Sequence, residues 1–317
     1  MTAIPPHGPP VGAGDRFEHE RPRLVGLAYR MLGTVADAED VVQDAWLRWR
    51  TLRPGAVDRP EAWLTTVTTR IALDHLRAAR RRREAYVGPW LPEPLVAEAG
   101  PAEVAELAET LRFGFLAVLD QLQPVERAVF LLADVFGVPF ADIAVTIGKS
   151  EVACRQIASR ARKRVRPAGS TGHAPSDGAA DRAGADRARA DRAGADRAVV
   201  DALMTAVAVG DIDSALRYLA PEVVCISDGG AERRAARRPV VGADRVVRFM
   251  VNLTRRHAGH LTARAASVNG DVGSVVSIDG TVDLVTAFEL EGDRVVAIRM
   301  VRNPDKLAHL EDSLSIR

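Results

Sequence analysis

The apolar spacing of this 317-residue chain changes once, and a low-complexity run marks the change. Up to about Arg166, apolar residues recur in steps of three and four. Leu24, Leu27, Ala28, Met31 and Leu32 do so, as do Ala38, Val41, Val42, Ala45, Trp46 and Trp49, which is the period of an amphipathic helix. From Asp181 the chain reads DRAGA-DRARA-DRAGA-DRA. Five does not match 3.6, so Asp and Arg spiral around any helix and leave no apolar stripe beyond alanine. The run reads as a solvated linker, with enough Ala and Arg to be partly helical. Beyond Val199 the style differs. Val200, Leu203, Met204 and Val207 predict a helix, Ala215, Leu216 and Leu219 a second, and 242–256 a third. Strand patterns follow at 261–269, 272–279, 281–291 and 294–302, bounded by Asn269-Gly270, Asp279-Gly280 and Gly292-Asp293. Helices followed by a meander of strands predict an α+β domain.

Within the helical half, Pro60 and Glu61 stand at positions that favour a helix start. That helix should bury Trp63, Leu64, Val67, Ile71 and Leu76 and end in Arg80 to Arg83. A Pro/Gly-containing connector, Gly88 to Leu95, leads to a second helical block at about 102–166. There Phe140, Ile143, Ala144 and Ile147 mark a short helix that stops at Gly148, and Ser150 can cap the next one.

Acids and bases nearly cancel: 43 Lys and Arg against 42 Asp and Glu give a formal charge of +1. A globally basic, histone-like protein is excluded, and any nucleic-acid surface must come from charge sorted in space. Two cysteines, Cys154 and Cys225, exclude a disulfide scaffold and suit a reducing cytoplasm. No apolar stretch approaches membrane-span length, and the Pro/Gly-rich start lacks a secretory pattern.

Charge is indeed sorted along the chain. On the helix after Ser150, Cys154, Ile157, Ala158, Ala161 and Val165 share one side, while Arg155, Gln156, Ser159, Arg160 and Lys163 share the other. A short helix, a Gly turn and such a helix make a helix-turn-helix pattern. Arg155 and Gln156 can present paired donors to base edges, and Arg160, Lys163 and Arg164 suit phosphates. Arg70, Arg77 and Arg81 form a second basic side with Thr66 and Thr69 beside them, although an Arg-rich helix end also suits the helix dipole alone. Against these stand Asp37, Asp40 and Asp44, spaced three and four apart, with Glu39 and Gln43. They repel one another on an isolated helix and suit a basic protein partner or solubility.

The stretches DAEDVVQDAWL at 37–47, PEAWLTTVTTRIALDHLR at 60–77 and the helix-turn-helix at 140–164 together resemble extracytoplasmic-function (ECF) bacterial sigma factors. YVGPWLPEPL at 86–95, Asp228-Gly229-Gly230 and NPDKL at 303–307 resemble the subgroup carrying a fused SnoaL-like C-terminal domain. The resemblance implies a multidomain fold, with two all-α modules (the second a helix-turn-helix) and a C-terminal α+β cone-shaped barrel. The expected organisation is a disordered tail at 1–15, a core-binding and −10 domain at 16–84, and a connector at 85–101. A −35 domain at 102–166, a linker at 167–198 and the SnoaL-like domain at 199–317 complete it.

By the same resemblance, RNA polymerase core enzyme and promoter DNA are the partners. Asp37, Glu39, Asp40, Gln43 and Asp44 would grip polymerase. Thr66, Thr69, Arg70, Arg77 and Arg80 would hold the melted −10 strand, and Lys149, Ser150, Arg155, Gln156, Ser159, Arg160 and Lys163 would read the −35 element. Trp90, Leu91, Pro92, Glu93 and Pro94 would meet Asp228, Gly229, Asn303, Pro304, Asp305, Lys306 and Leu307 in a regulatory contact, docking the C-terminal domain on the connector and first module. Most members of the subgroup continue DGG with Gly-Lys or Gly-Arg. This chain has Ala231-Glu232 there, and Arg233 and Arg234 come slightly later.

No cofactor, metal or catalytic residue is expected, while the interior of a SnoaL-like barrel can hold a small ligand, whose identity the sequence leaves open. His257 and His260 lack a third ligand nearby and read as solvated. Asp228, Asp279 and Asp283 are general-base candidates, two of them at turn positions that favour Asp in any case. The alternative functions are a helix-turn-helix regulator fused to a small-molecule-binding or isomerase/cyclase-like enzyme domain, and an ordinary repressor that leaves 37–49 and 60–83 unexplained.

Overall fold

The computed structural model describes residues 13–53, 55–83, 86–97, 111–165 and 182–310. The expected tail up to residue 12, the start of the −35 domain at 102–110 and the linker at 167–181 lie outside the described residues. Two compact units form. One holds the described residues of 13–83 and 116–165, and the other those of 86–115 and 182–310.

The first unit is helical. Helix α1 (Ala13–Leu32), α2 (Val35–Trp49) and α3 (Pro60–Arg83) pack together, burying Leu24, Leu27, Met31, Val41, Val42 and Leu64. Thr34 caps α2 and donates its hydroxyl to Asp37 Oδ2 at 2.6 Å. Trp63 is only half-buried, its ring 5.6 Å from that of Trp49. Helix α4 (Phe113–Leu119) enters this unit at Leu116. Then come α5 (Pro124–Phe130), continued by a π-helical turn over Leu131–Val135, α6 (Phe140–Ile147) and α7 (Glu151–Val165). Buried Arg127 knits the unit together, donating to the carbonyls of Leu119 and Met31 and pairing with Asp120 at 2.9 Å. Gly148 closes α6 at φ +70°, the left-handed conformation that glycine adopts at least cost. Ser150 Oγ then accepts from Ala153 N to start α7.

In the second unit, α8 (Arg182–Val209), α9 (Ile212–Leu216) and α10 (Ala243–Arg256) cover one face of a six-stranded sheet. The strands are β1 (Leu219–Asp228), β2 (Val240–Val241), β3 (Leu261–Val268), β4 (Asp271–Ile278), β5 (Thr281–Glu291) and β6 (Arg294–Val301), in the order β2-β1-β6-β5-β4-β3. Only β1 and β6 run parallel. Two sequence expectations are corrected here. Residues 182–198 are not a linker but the opening turns of α8, continuous with the domain's first helix. Leu219 is not helical; it begins β1 and pairs with Val295.

The helix-covered face packs Leu203, Val207, Val247 and Met250 against Phe288, Ile298 and Met300. The opposite face is covered by the connector, which contributes Leu91 and Val96, and by Phe113 at the start of α4, Leu307 and Leu310. Val96 bridges Val268 on the edge strand β3. Asn269 N donates to the Leu95 carbonyl at 2.8 Å, and Leu95 N to Asn269 Oδ1 at 2.9 Å. Burying three side chains of this kind contributes roughly 5–9 kcal/mol before ordering entropy is subtracted. The connector is thus a layer of the C-terminal fold.

Candidate nucleic-acid interface

The helix-turn-helix pattern forms as the spacing predicts. Cys154, Ile157, Ala158 and Ala161 are buried, and Lys149, Ser150, Arg155, Gln156, Ser159, Arg160 and Lys163 are all exposed. The Arg155 guanidinium lies over the Phe140 ring at 4.9 Å and 3.3 Å from Glu151, which steers it without burying it. Arg164 and Arg162 are partnered by Glu126 and Asp134, so the exposed end of α7 keeps Arg160 and Lys163 as its uncommitted cations among the described residues.

On α2 the apolar side is buried, and Asp40, Gln43 and Asp44 are exposed together beside Leu47. Asp37 is held by Thr34, and Glu39 accepts from Arg21 Nη2 at 2.5 Å. Three of the five acidic-face candidates therefore point outward without a bond among the described residues, and two are tied down.

The predicted −10 group splits. Arg77 and Arg80 are exposed, with Arg77 3 residues from its partner Asp74. Thr69 is a correction: it is fully buried, and its hydroxyl donates to the Thr65 carbonyl at 2.7 Å. Threonine hydroxyls can bond back to the carbonyl four residues earlier, which lets Thr65 and Thr69 face the core although they are polar. Thr66 and Arg70 face outward onto α6. The Thr66 and Thr146 hydroxyls are 2.9 Å apart, and Arg70 donates to the carbonyls of Val145 (2.7 Å) and Thr146 (3.1 Å). Arg59 adds a two-pronged pair to Asp142, a contact with no signal in the sequence.

The connector motifs converge within the second unit. Asp228, fully buried, accepts from Tyr86 Oη (2.5 Å), Leu91 N (2.8 Å) and Gly230 N (3.0 Å), and pairs with Lys306 Nζ at 2.6 Å. Lys306 also donates to the Leu91 carbonyl and sits over the Trp90 ring at 4.2 Å. Asn303 donates to Tyr86 Oη and caps the turn at Pro304 and Asp305. Glu93 is buried 3.0 Å from His309, between Pro92 and Pro94, which are buried too. Burial and the Asp228 carboxylate push the Tyr86 phenol well above its ordinary range. Of the other general-base candidates, Asp283 is bound by Arg302 at 2.5 Å, and Asp279 is exposed beside His260.

Sequence reasoning missed another buried acid. Asp271 accepts from Phe113 N at 3.0 Å, and desolvation raises its pKa to about 6 despite Arg112 nearby. Among the described residues, no helix is long and apolar enough to cross a membrane, and no group of three or more His, Cys, Asp or Glu is placed to hold a metal.

The Sigma-70 region 2 family matches residues 16–82 and the Sigma-70 region 4 family residues 112–165. The chain is similar to the ECF RNA polymerase sigma factor SigJ of Mycobacterium tuberculosis, with 41% identity over 92% of this chain and 91% of the relative. It is also 32% identical to the probable ECF RNA polymerase sigma factor SigI of the same species, over 96% and 97%. The crystal structure of M. tuberculosis SigJ matches with a TM-score of 0.71 at 37% identity, covering 93% of this chain and 98% of that one. With both sigma regions present and the likeness running through the C-terminal unit, the chain belongs to the ECF RNA polymerase sigma factors.

Proposed function

We propose that this sigma factor joins RNA polymerase core through the acidic face of α2 and directs it to promoters. In this reading α3 holds the melted −10 strand and α7 reads the −35 duplex. The carrying observation is the outward set Lys149, Ser150, Arg155, Gln156, Ser159, Arg160 and Lys163 on a helix whose other side is buried. Such a helix fits the major groove, where Arg and Gln offer paired donors to base edges. Arg77 and Arg80 supply a cationic track suited to a single strand. Thr66 and Arg70 must exchange their bonds to α6 for nucleic acid, so the α3–α6 contact has to part when promoter is engaged.

The C-terminal domain has no catalytic role in this reading and acts in the cytoplasm with the rest of the chain. It modulates initiation through the connector, which is built into its sheet. Asp228, the best-placed buried carboxylate, is consumed by Tyr86, Leu91 and Lys306. Co-purification with core polymerase tests the first step. Wild-type chain should be retained and Asp40→Arg/Asp44→Arg lost. Retention of the double variant at wild-type levels would overturn the assignment of that face.

A further inference from the structure

The loop after the Asp228-Gly229-Gly230 turn borders a cavity of about 340 Å³ in the second unit. That volume is within the range of small-molecule sites. Its wall includes Arg233, Arg234 and Arg237, faced by one carboxylate, Glu232, and by Val87 and Gly88 of the connector. Four arginines fall within six residues, Arg233 to Arg238, and all are exposed. Only Arg233 has an acidic neighbour, Asp283 at 3.6 Å; Arg234, Arg237 and Arg238 have no ion pair among the described residues. Ser227, 2% exposed, also lines the cavity.

The framework is rigid. Arg233 N donates to the Gly229 carbonyl at 3.1 Å, and Arg302 Nη1 to the Arg234 carbonyl at 2.9 Å. A Cβ at Gly229 would meet the Arg233 carbonyl oxygen at 2.4 Å, so the turn holds the loop in one place. Guanidinium groups on a backbone held by hydrogen bonds, with a serine in the same wall, are the chemistry of phosphate recognition.

We propose that this cavity binds a small phosphorylated ligand through Arg233, Arg234, Arg237 and Ser227. The claim does not rest on the sigma-factor reading, because binding is measured without polymerase or promoter. Isothermal titration calorimetry of the full chain with inorganic pyrophosphate, and separately with ATP, tests it. One saturable site per chain is expected with at least one probe; pyrophosphate alone would place recognition in the phosphates, and ATP alone would add the nucleoside. Arg234→Gln/Arg237→Gln should weaken binding at least about tenfold, as loss of charge-assisted hydrogen bonds does. Ser227→Ala should weaken it less, and Arg160→Gln/Lys163→Gln on α7 should leave it unchanged. Arg237→Gln alone is read alongside, since that exposed side chain can be removed without disturbing the fold. The proposal fails if neither probe saturates, if the loop variants bind like wild type, or if the α7 variant abolishes the signal. It fails equally if the loop variants lose affinity for a random-sequence DNA duplex and not for the small probes, which would make the loop a nucleic-acid surface.

Discussion

Lys306 shows how much a single side chain carries in this protein. Its ammonium is buried against Asp228 and the Leu91 carbonyl, with the Trp90 ring beneath it, so it ties the connector to the sheet. Removing one partner of a buried pair strands the other charge, and Lys306→Met should cost about 3–5 kcal/mol in urea unfolding. Asp271 behaves in the opposite sense to most carboxylates. Its folded pKa, about 6, lies above the ordinary aspartate value of 3.8, so the folded state holds the proton more tightly. Its contribution to stability is therefore full below about pH 4 and is lost as pH rises through 6. Asp271→Asn keeps an acceptor for Phe113 N without the buried charge. It should flatten that part of the stability–pH curve and be the more stable protein at pH 7; identical curves would contradict the burial argument. Arg155→Ala should weaken promoter binding by about 1–3 kcal/mol and relax sequence preference, as loss of a base contact does. Equal losses on every sequence would make Arg155 a phosphate contact.

At the scale of elements, the helix-turn-helix was legible because one turn, one cap and two faces all agree. The left-handed Gly148 is the part that tolerates least, and Gly148→Val should destabilise the first unit by about 1–2 kcal/mol and lower −35 affinity together. Strands β3 to β6 were legible to within a residue at each end, since alternation is bounded by turn dipeptides. Strand β1 was not. Pro221-Glu222 interrupts its pattern, and its long partner β6 lies some 70 residues on, with a parallel register that no hairpin turn announces. Helix α8 was read short because the repeat has no apolar stripe. Its helical state comes from Ala and Arg propensity and from tertiary anchors such as Arg197, which donates to the carbonyls of Gly273 and Ala266. Thr69 was misplaced because spacing alone does not show that a threonine can satisfy itself against its own helix. The connector's sequence motifs pointed to a contact with 303–307, but the charges of Asp228 and Lys306 gave no sign that both are buried.

At the scale of the whole molecule, near-zero net charge conceals segregation: exposed carboxylates on α2, exposed cations on α3 and α7, and an arginine-rich loop in the C-terminal unit. The connector between the two sigma regions is part of the C-terminal fold, so any change in that fold is felt by the segment joining them. Run-off transcription with purified core polymerase, on a template carrying a promoter selected by the wild-type chain, tests this sorting most directly. A discrete start site should appear with the wild-type chain and vanish with Asp40→Arg/Asp44→Arg and with Arg155→Ala/Gln156→Ala. Transcripts of equal amount and position from all three chains would contradict the account.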